Sequence, residues 1–315
     1  MIARAITLVE STADHHRVDA VALLEAISPA ADNCRRVGIT GVPGVGKSTL
    51  IDQLGINLIA AGHRVAVLAV DPSSTRTSGS ILADKTRMAR LAADARAYIR
   101  PSPSSGMLGG VALRTREAML ICEAAGFDVI LVETVGVGQS ETAVAGMVDC
   151  FVALALPGAG DDLQGIKKGV VELADVIAVN KSDGETRSRA QRAAADLRAA
   201  LDIVVNGEAG WRAPVLTVSA IENDGLDRLW AAIERHRSEA IGSGAFAERR
   251  RQQLDRWLDE LLRQRLWERA MRQPSAEALL ANARIAVAAG RLVVPRAVEN
   301  VVAALSRLRQ DGRPA

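Results

Sequence analysis

Short apolar runs alternate with stretches of helical periodicity through the middle of the chain. Most of these runs are continuously apolar, which is typical of strands that are buried on both faces. Strands separated by helices in this way predict an α/β fold with a doubly wound, mostly parallel sheet. The predicted strands are Val37–Thr40, Val65–Val70, Ala97–Ile99, Val129–Val132, Phe151–Leu156, Val176–Val179 and Val215–Val218.

Helical patterns without strands flank this region at both ends. Residues 2–28 carry apolar positions at helical spacing and predict one or two short amphipathic helices. After the last strand, three helices are predicted, over 246–272, over 275–289 and from Pro295 to before Gly312. Three helices bury little apolar surface alone. We therefore expect them to pack on the α/β domain or on a second copy of the chain.

The composition is that of an ordinary globular protein. The 315 residues are 49% apolar and 24% charged, no apolar run reaches the roughly 18 residues of a membrane helix, and the N-terminus does not resemble a secretory signal. We therefore expect a cytoplasmic protein. A net charge of +2 and only 3% aromatic residues argue against nucleic-acid binding. The widely spaced Cys34, Cys122 and Cys150 indicate reduced thiols in apolar segments.

The strongest chemical signal is a glycine-rich segment between the first predicted strand and the next helix. It matches the phosphate-binding pattern G-x-x-x-x-G-K-[ST] in the strand and helix context that the motif requires. Backbone N–H groups and the helix N-terminus face the phosphates, Lys47 neutralises the β- and γ-phosphates, and Ser48 places its hydroxyl on Mg²⁺. A turn without a ligand is the alternative. The segment comprises Gly41, Val42, Pro43, Gly44, Val45, Gly46, Lys47, Ser48 and Thr49.

Base selection is predicted from Asn180, Lys181 and Asp183, which follow the sixth predicted strand. The Asp183 carboxylate can accept hydrogen bonds from N1–H and the 2-amino group of guanine, whereas adenine would leave this charge unpaired. Lys181 can lie along the base plane, and Asn180 can brace the loops. A polar turn is the alternative. A second loop, equally consistent with an ordinary turn, offers N–H groups to the guanine carbonyl and comprises Ser219, Ala220 and Ile221.

Acidic residues follow two central strands near the phosphate motif. Asp71 and Glu133 can each hold a water on Mg²⁺ or orient the water that attacks the γ-phosphate. Asp84 can approach the metal on closure, and Gly136 lets a backbone N–H approach the γ-phosphate. Surface acids are the alternative. We predict that the catalytic residues are Lys47, Asp71 and Glu133, and that the metal ligands are Ser48, Asp71, Asp84 and Glu133.

A glycine-rich stretch after the fifth predicted strand, residues 158–169, predicts a flexible loop that holds two of the five lysines in the chain. Flexible charged loops can transmit the state of a bound nucleotide to a partner. A solvated loop without such a role is the alternative. The candidate coupling residues are Asp161, Gln164, Lys167 and Lys168.

Six segments, in this order, resemble the MeaB/ArgK family of methylmalonyl-CoA mutase-associated G-proteins, relatives of the human methylmalonic aciduria type A protein. They are GVPGVGKST, VLAVDPSSTRTSGSILADKTRM, RPSPSSGMLGG, LVETVGVGQSE, LQGIKKG and NKSD. The resemblance implies a SIMIBI-class P-loop fold and slow, Mg²⁺-dependent hydrolysis of GTP to GDP. It also implies a chaperone that gates cofactor loading of an adenosylcobalamin-dependent acyl-CoA mutase and protects or reactivates that mutase, without binding cobalamin itself.

The resemblance further implies three segments: an N-terminal helical extension over 1–35, a GTPase domain over 36–240 and a helical dimerisation arm over 241–315. It identifies residues 158–169 with the loop that couples the GTP state to the mutase. We expect a homodimer, since an apolar stripe at 254–266 favours one. Two alternatives remain open, a kinase acting on a transport protein and a metal-insertion GTPase. The guanine-type loop disfavours the first, and the lack of Cys/His ligands near the nucleotide motif disfavours the second.

Overall fold

The computed structural model describes nine stretches of the chain, which form two compact units, Met1–Leu254 and Asp255–Ala315. The predicted bounds of the extension, the GTPase domain and the arm stay a prediction. The described residues are 1–11, 13–27, 33–70, 88–102, 108–134, 140–157, 168–204, 210–273 and 275–311.

A seven-stranded parallel sheet forms the centre of the first unit. Each predicted strand corresponds to an observed one, so the predicted α/β class with a doubly wound parallel sheet is confirmed. The strands are β1 (Arg35–Gly41), β2 (Val65–Val70), β3 (Ala97–Ser102), β4 (Val129–Thr134), β5 (Cys150–Ala155), β6 (Val176–Val179) and β7 (Val215–Thr217). Their order across the sheet is β3-β2-β4-β1-β5-β6-β7.

Helices connect the strands and precede the sheet. None of the helices in the described stretches is both long and apolar enough to cross a membrane. The helices of the first unit are α1 (Ile2–Glu10), α2 (Asp14–Ala26), α3 (Lys47–Ala60), α4 (Ala89–Ala92), α5 (Leu108–Ala124), α6 (Ser140–Ala145), α7 (Lys168–Leu173), α8 (Arg187–Val204) and α9 (Leu226–Gly242).

The sheet is buried on both faces, which explains its continuously apolar strands. Val65 and Val67 of β2 belong to a core that includes residues of α3 and α9. Ala66 and Leu68, which alternate with them, belong to a second core that includes residues of α1 and α5. Successive side chains of a strand point to opposite faces, so every position of such a strand has to be apolar.

The position of β1 brings the predicted chemistry together. β1 lies between β4 and β5, and Ile39 pairs with Glu133 while Gly41 pairs with Leu154. Because the three strands are parallel, their carboxyl ends share one edge of the sheet, where ligands of doubly wound folds bind. The glycine-rich loop and Glu133 therefore lie side by side.

The N-terminal helices differ from the sequence expectation in one respect. The helical spacing of apolar residues in the second part of 2–28 predicts a buried face of Val18, Val21, Leu24 and Ile27, yet the side chains of Val18 and Val21 are 72% and 41% exposed. Leu24 and Ile27 do pack against the core, and so does Leu23, which the spacing did not include. The apolar residues of α2 are spread around the helix, so periodicity alone did not identify the buried side.

An ion-pair cluster secures the start of the next helix, α10 (Ala245–Met271), to the amino edge of the sheet. Arg249 donates to both carboxylate oxygens of Asp175 at 2.8 Å, and Arg250 donates to both oxygens of Asp149 at 2.8 Å. Bidentate hydrogen bonds of this kind are the strongest arrangement for an arginine and a carboxylate. The guanidinium groups of Arg237 and Arg250 also lie over the ring of Phe246, 4.8 and 4.9 Å from its centre.

Acid should weaken this cluster. Burial alone would raise the pKa of Asp175, but hydrogen bonds from Arg249 and His236 lower it to about 2, below the usual 3.8. A carboxyl whose folded pKa is depressed stabilises the fold above its unfolded pKa. We expect the Asp175 contribution, about 2 kcal/mol near neutral pH, to disappear as the pH falls from about 4 to 2. Urea unfolding at several pH values measures it.

The comparison variant is Asp175→Asn, which should show a shallower loss of unfolding free energy over this pH range than the wild type. Asp196→Asn, on the exposed surface of α8, serves as the control and should follow the wild-type slope. Parallel slopes for the wild type and Asp175→Asn would contradict the assignment.

The second unit contains the remainder of α10 together with α11 (Ala276–Ala288) and α12 (Val294–Asp311). α11 and α12 pack against each other. Leu258, Leu262 and Leu266, four residues apart on α10, are each more than half exposed. Within the described part of the second unit, this stripe is therefore exposed.

The three cysteines are buried and free, as predicted. Burial raises the pKa of each thiol, that of Cys122 to about 12. Reactive cysteines need an accessible thiolate, so these side chains act as small apolar residues of the core.

Candidate nucleotide site

The glycine-rich loop leaves β1 and leads directly into α3. Gly44 and Gly46 have φ angles of +81° and +93°, a left-handed conformation that glycine adopts without steric cost. Among the described residues, no side chain caps α3 at Gly46. The first N–H groups of that helix therefore remain directed at an incoming anion, as a phosphate site requires.

Lys47 lies over this loop rather than in solvent. It is 8% exposed, and its Nζ donates to the carbonyl oxygens of Gly41 at 2.7 Å and Val42 at 3.2 Å. An ammonium group has three N–H donors and no acceptor. The loop thus holds a compact positive charge in the place where the sequence predicts the β- and γ-phosphates.

Ser48 and Glu133 meet at the edge of the phosphate loop. The Ser48 hydroxyl donates to Glu133 Oε1 at 2.8 Å, and the Glu133 side chain is buried. A hydroxyl that donates its hydrogen retains lone pairs, so Ser48 can ligate a cation while Glu133 holds its orientation. Oxygen ligands of this kind fit Mg²⁺. Behind them, the buried hydroxyls of Thr134 and Thr40 are hydrogen-bonded at 2.8 Å.

Asn180 joins the phosphate loop to the loops for which the sequence predicts base recognition. Its side chain is 2% exposed, and Nδ2 donates to the carbonyl oxygen of Val45 at 2.8 Å. Its Oδ1 accepts the N–H of Ala220 at 3.4 Å. The contact is close enough that a Cβ added at Gly46 would lie 2.7 Å from Nδ2. The predicted bracing role of Asn180 thus has a defined geometry.

Asp183 and Ser219 also meet, although they follow different strands. The Ser219 hydroxyl donates to Asp183 Oδ2 at 2.7 Å. Ser219 is fully buried, whereas Asp183 is half-buried. A buried hydroxyl therefore fixes one carboxylate oxygen of Asp183. Sequence reasoning assigned only backbone contacts to Ser219 and missed this role of its hydroxyl. No signal in the sequence links two residues that lie 36 positions apart.

The remaining residues of the two base loops lie at the mouth of this site. Lys181 is exposed and has a φ angle of +60°, an uncommon conformation for a residue with a side chain. Ile221 is 78% exposed and Ala220 is buried. The stacking of Lys181 along a base plane stays a prediction.

Several predicted site residues lie outside the described part of the chain. The side chain of Lys168, at the start of α7, is also outside it. The others are Asp71, Asp84, Gly136, Asp161, Gln164 and Lys167.

The parallel sheet, the glycine-rich loop after β1 and the helix behind it define a P-loop NTPase. The profile described as "Methylmalonyl Co-A mutase-associated GTPase MeaB" matches residues 2–275, and the chain belongs to this family. It is a GTPase, as relatives with that name and the shared fold show.

Known relatives extend over nearly the whole chain. A probable GTPase of Mycobacterium tuberculosis is 57% identical, with 95% of this chain and 89% of the relative covered. The mitochondrial methylmalonic aciduria type A homolog of Mus musculus is 42% identical, with 95% and 74% covered. A crystal structure described as an LAO/AO transport system kinase is 38% identical, with a TM-score of 0.73 over 98% of this chain and 92% of that one.

Proposed function

We propose that this GTPase is a chaperone of an adenosylcobalamin-dependent acyl-CoA mutase of the methylmalonyl-CoA mutase type. In this role it gates cofactor loading and protects or reactivates the mutase. The observation that carries the proposal is membership, over residues 2–275, of a family described by its association with methylmalonyl-CoA mutase. The similarity to the methylmalonic aciduria type A homolog supports it.

The phosphate half of the proposed mechanism depends on Lys47, Ser48 and Glu133. The loop N–H groups and the Lys47 ammonium bind the β- and γ-phosphates, and Ser48 and Glu133 orient a metal ion and its water shell. Mg²⁺, when bound, supplies positive charge that offsets the charge developing on the phosphates. We assign Asp71 and Asp84 to the same metal and water positions, and Gly136 to the γ-phosphate.

The base half depends on the two loops that Asn180 joins. Asp183 accepts hydrogen bonds from guanine N1–H and the 2-amino group, and the loop of Ser219, Ala220 and Ile221 lies against the 6-oxo group. Because the Ser219 N–H donates to the Asp224 carbonyl at 2.9 Å and the Ala220 N–H has only a long contact of 3.4 Å to Asn180, we assign the 6-oxo contact to the N–H groups of Ala220 and Ile221. The Ser219 hydroxyl at 2.7 Å supports this arrangement because it holds the Asp183 carboxylate. A buried polar site rejects a base that leaves its groups unpaired, so this pocket selects GTP over ATP.

Coupling to the mutase is assigned to Asp161, Gln164, Lys167 and Lys168. The chain that includes them follows β5, which is hydrogen-bonded to the phosphate-loop strand β1. Because β5 ends at the same edge of the sheet as the phosphate loop, we propose that these residues transmit the state of the bound nucleotide to the mutase.

The same proposal includes a homodimer. Leu258, Leu262 and Leu266 form an exposed apolar stripe on α10, and contiguous apolar surface of this kind commonly marks an interface. Light scattering coupled to size-exclusion chromatography tests it. A monomeric mass at micromolar concentration contradicts the dimer.

The experiment that tests the chaperone role uses purified, adenosylcobalamin-dependent methylmalonyl-CoA mutase. Immobilised GTPase is loaded with GDP or a non-hydrolysable GTP analogue, and the captured mutase and its rate of inactivation during turnover are measured. We expect capture to depend on the nucleotide and inactivation to slow when GTP is present. Absence of capture in both states, together with unchanged inactivation, would refute the proposal.

A kinase acting on a transport protein is the second candidate, because the crystal structure at 38% identity is described as a transport system kinase. The guanine-type loop disfavours it, since kinases of this kind use ATP and need a base for the acceptor hydroxyl. Tight ATP binding with phosphate transfer to a protein would support the kinase instead.

Metal insertion finds less support in the described residues. A group of potential ligands there is formed by Cys150, Asp175 and His236, whose ligand atoms lie within 4.8 Å of one another. Both oxygens of Asp175 accept from Arg249, and the positive charge of Arg249 opposes a cation there. Cys150 and Asp175 also lie at the amino ends of β5 and β6, at the edge opposite the phosphate loop.

A further inference from the structure

A continuous series of side-chain hydrogen bonds crosses the phosphate-loop helix α3. Arg90 Nη1 on α4 donates to Gln53 Oε1 at 2.7 Å, and Gln53 Nε2 donates to Asn57 Oδ1 at 2.9 Å. Asn57 Nδ2 then donates to Asn223 Oδ1 at 2.7 Å, and Asn223 Nδ2 returns a bond to Asn57 Oδ1 at 3.3 Å. The series links α4 to the loop after β7.

The direction of these bonds is fixed at one end. A guanidinium donates and does not accept, so Gln53 has to present its oxygen to Arg90 and its N–H₂ to Asn57. Asn57 consequently turns its oxygen toward Gln53 and its N–H₂ toward Asn223. Gln53 is only 8% exposed, and an unpaired polar group in such a buried position costs free energy. Such a head-to-tail series polarises each successive amide.

The far end of the series reaches the second base-recognition loop. Asn223 has a φ angle of +54°, and its loop is closed by two backbone hydrogen bonds between Ser219 and Asp224, 2.9 and 3.1 Å long. The tip of the loop is open to solvent, since Ile221 is 78% exposed. Of the hydrogen bonds described for this loop, the Asn57–Asn223 amide pair links it to α3.

We propose that Asn57 is a positioning residue for guanine recognition, which it performs by fixing the loop of Ser219, Ala220 and Ile221 against α3. Gln53 sets the orientation of its amide. The inference rests on the proposed guanine site, because its consequence is a properly placed set of N–H groups for the 6-oxo group of the base. We assign the side chains of the series an indirect role, through the loop, and no contact with the base.

Two substitutions test the series. Asn57→Ala removes the amide pair. Gln53→Glu retains an acceptor for Arg90 and strengthens that contact. A carboxylate cannot donate to Asn57, so the Asn57 amide has to turn its N–H₂ toward position 53 and its oxygen toward Asn223. Glu222→Gln is the matched control, since Glu222 lies in the same loop and its side chain pairs with Arg187 on the exposed surface at 2.8 Å. Thermal unfolding of each variant verifies that it is folded.

The measurement is the dissociation constant for three diphosphates whose bases are guanine, hypoxanthine and 2-aminopurine. Guanine and hypoxanthine carry the 6-oxo group, and 2-aminopurine lacks it. We expect Asn57→Ala and Gln53→Glu to weaken binding of the guanine and hypoxanthine diphosphates by about tenfold, as the loss of one or two net hydrogen bonds does. Binding of the 2-aminopurine nucleotide should stay within about twofold of the wild-type value.

Equal weakening of all three nucleotides, or no weakening of any, would overturn the positioning role. A neutral Gln53→Glu would overturn the part assigned to Gln53, because it would show that the Asn57–Asn223 pair holds the loop in either orientation of its amides. If the wild-type protein itself binds GDP no better than ADP, the proposed guanine site is wrong. That result is distinguishable, because it appears before any variant is compared.

Discussion

Asp183→Asn should change the preferred base of the protein from guanine to xanthine. In the proposed site the Asp183 carboxylate accepts from both N1–H and the 2-amino group of guanine, whereas xanthine presents N1–H and a 2-oxo group. An asparagine can still accept from the Ser219 hydroxyl, which lies 2.7 Å from Asp183 Oδ2, and can offer N–H₂ to the 2-oxo group. A site left with mismatched polar groups loses orders of magnitude in affinity. We expect the affinity for GDP to fall by at least about a hundredfold and the affinity for xanthosine diphosphate (XDP) to rise.

Isothermal titration calorimetry with GDP, XDP and ADP measures this change. Asp227→Asn, at an exposed position in the first turn of α9, is the matched control and should bind GDP as the wild type does. Unchanged GDP affinity in Asp183→Asn would remove Asp183 from the base site.

Lys47→Ala should abolish GTP hydrolysis. The ammonium sits 2.7 and 3.2 Å from two loop carbonyl oxygens, and its removal exposes these partial negative charges to the phosphates. Removing a single preorganised donor costs about 10²–10³ in rate, and Lys47 also contributes a full charge. We therefore expect single-turnover phosphate release, measured with saturating GTP and Mg²⁺, to fall by at least about a thousandfold.

Two further variants define what Lys47 contributes. Lys47→Arg retains the charge but presents a larger, planar group that does not fit between the two carbonyl oxygens, so it should also be inactive. Arg187→Ala, which removes a positive charge from an exposed surface pair, should hydrolyse GTP at the wild-type rate. Retained turnover in Lys47→Ala would disprove the assignment.

The strands were predictable because their signal is local. A strand buried on both faces has to be apolar at each position, and β2 and β6 have the predicted bounds, Val65–Val70 and Val176–Val179. β3 extends beyond the predicted Ile99 because Arg100 and Pro101 pair with Leu68 and Ala69 of β2. β3 lies at the edge of the sheet, where proline is tolerated. No pattern within β3 indicates that pairing.

The site was predictable to the extent that it is built from single segments. The phosphate loop depends on glycines at fixed spacing and on the strand and helix around it, all contiguous in sequence. The contacts between segments were not predictable, because sheet order determines which strand ends become neighbours. Asp183 with Ser219 and Asn57 with Asn223 are examples, and the members of the second pair lie 166 positions apart.

The tight approach of Asn180 to Gly46 restricts how this chain can diverge. A side chain at position 46 would lie 2.7 Å from the amide nitrogen of Asn180, so a substitution there has to displace the asparagine. Because that amide contacts both Val45 and Ala220, a change in one loop would be transmitted to the other.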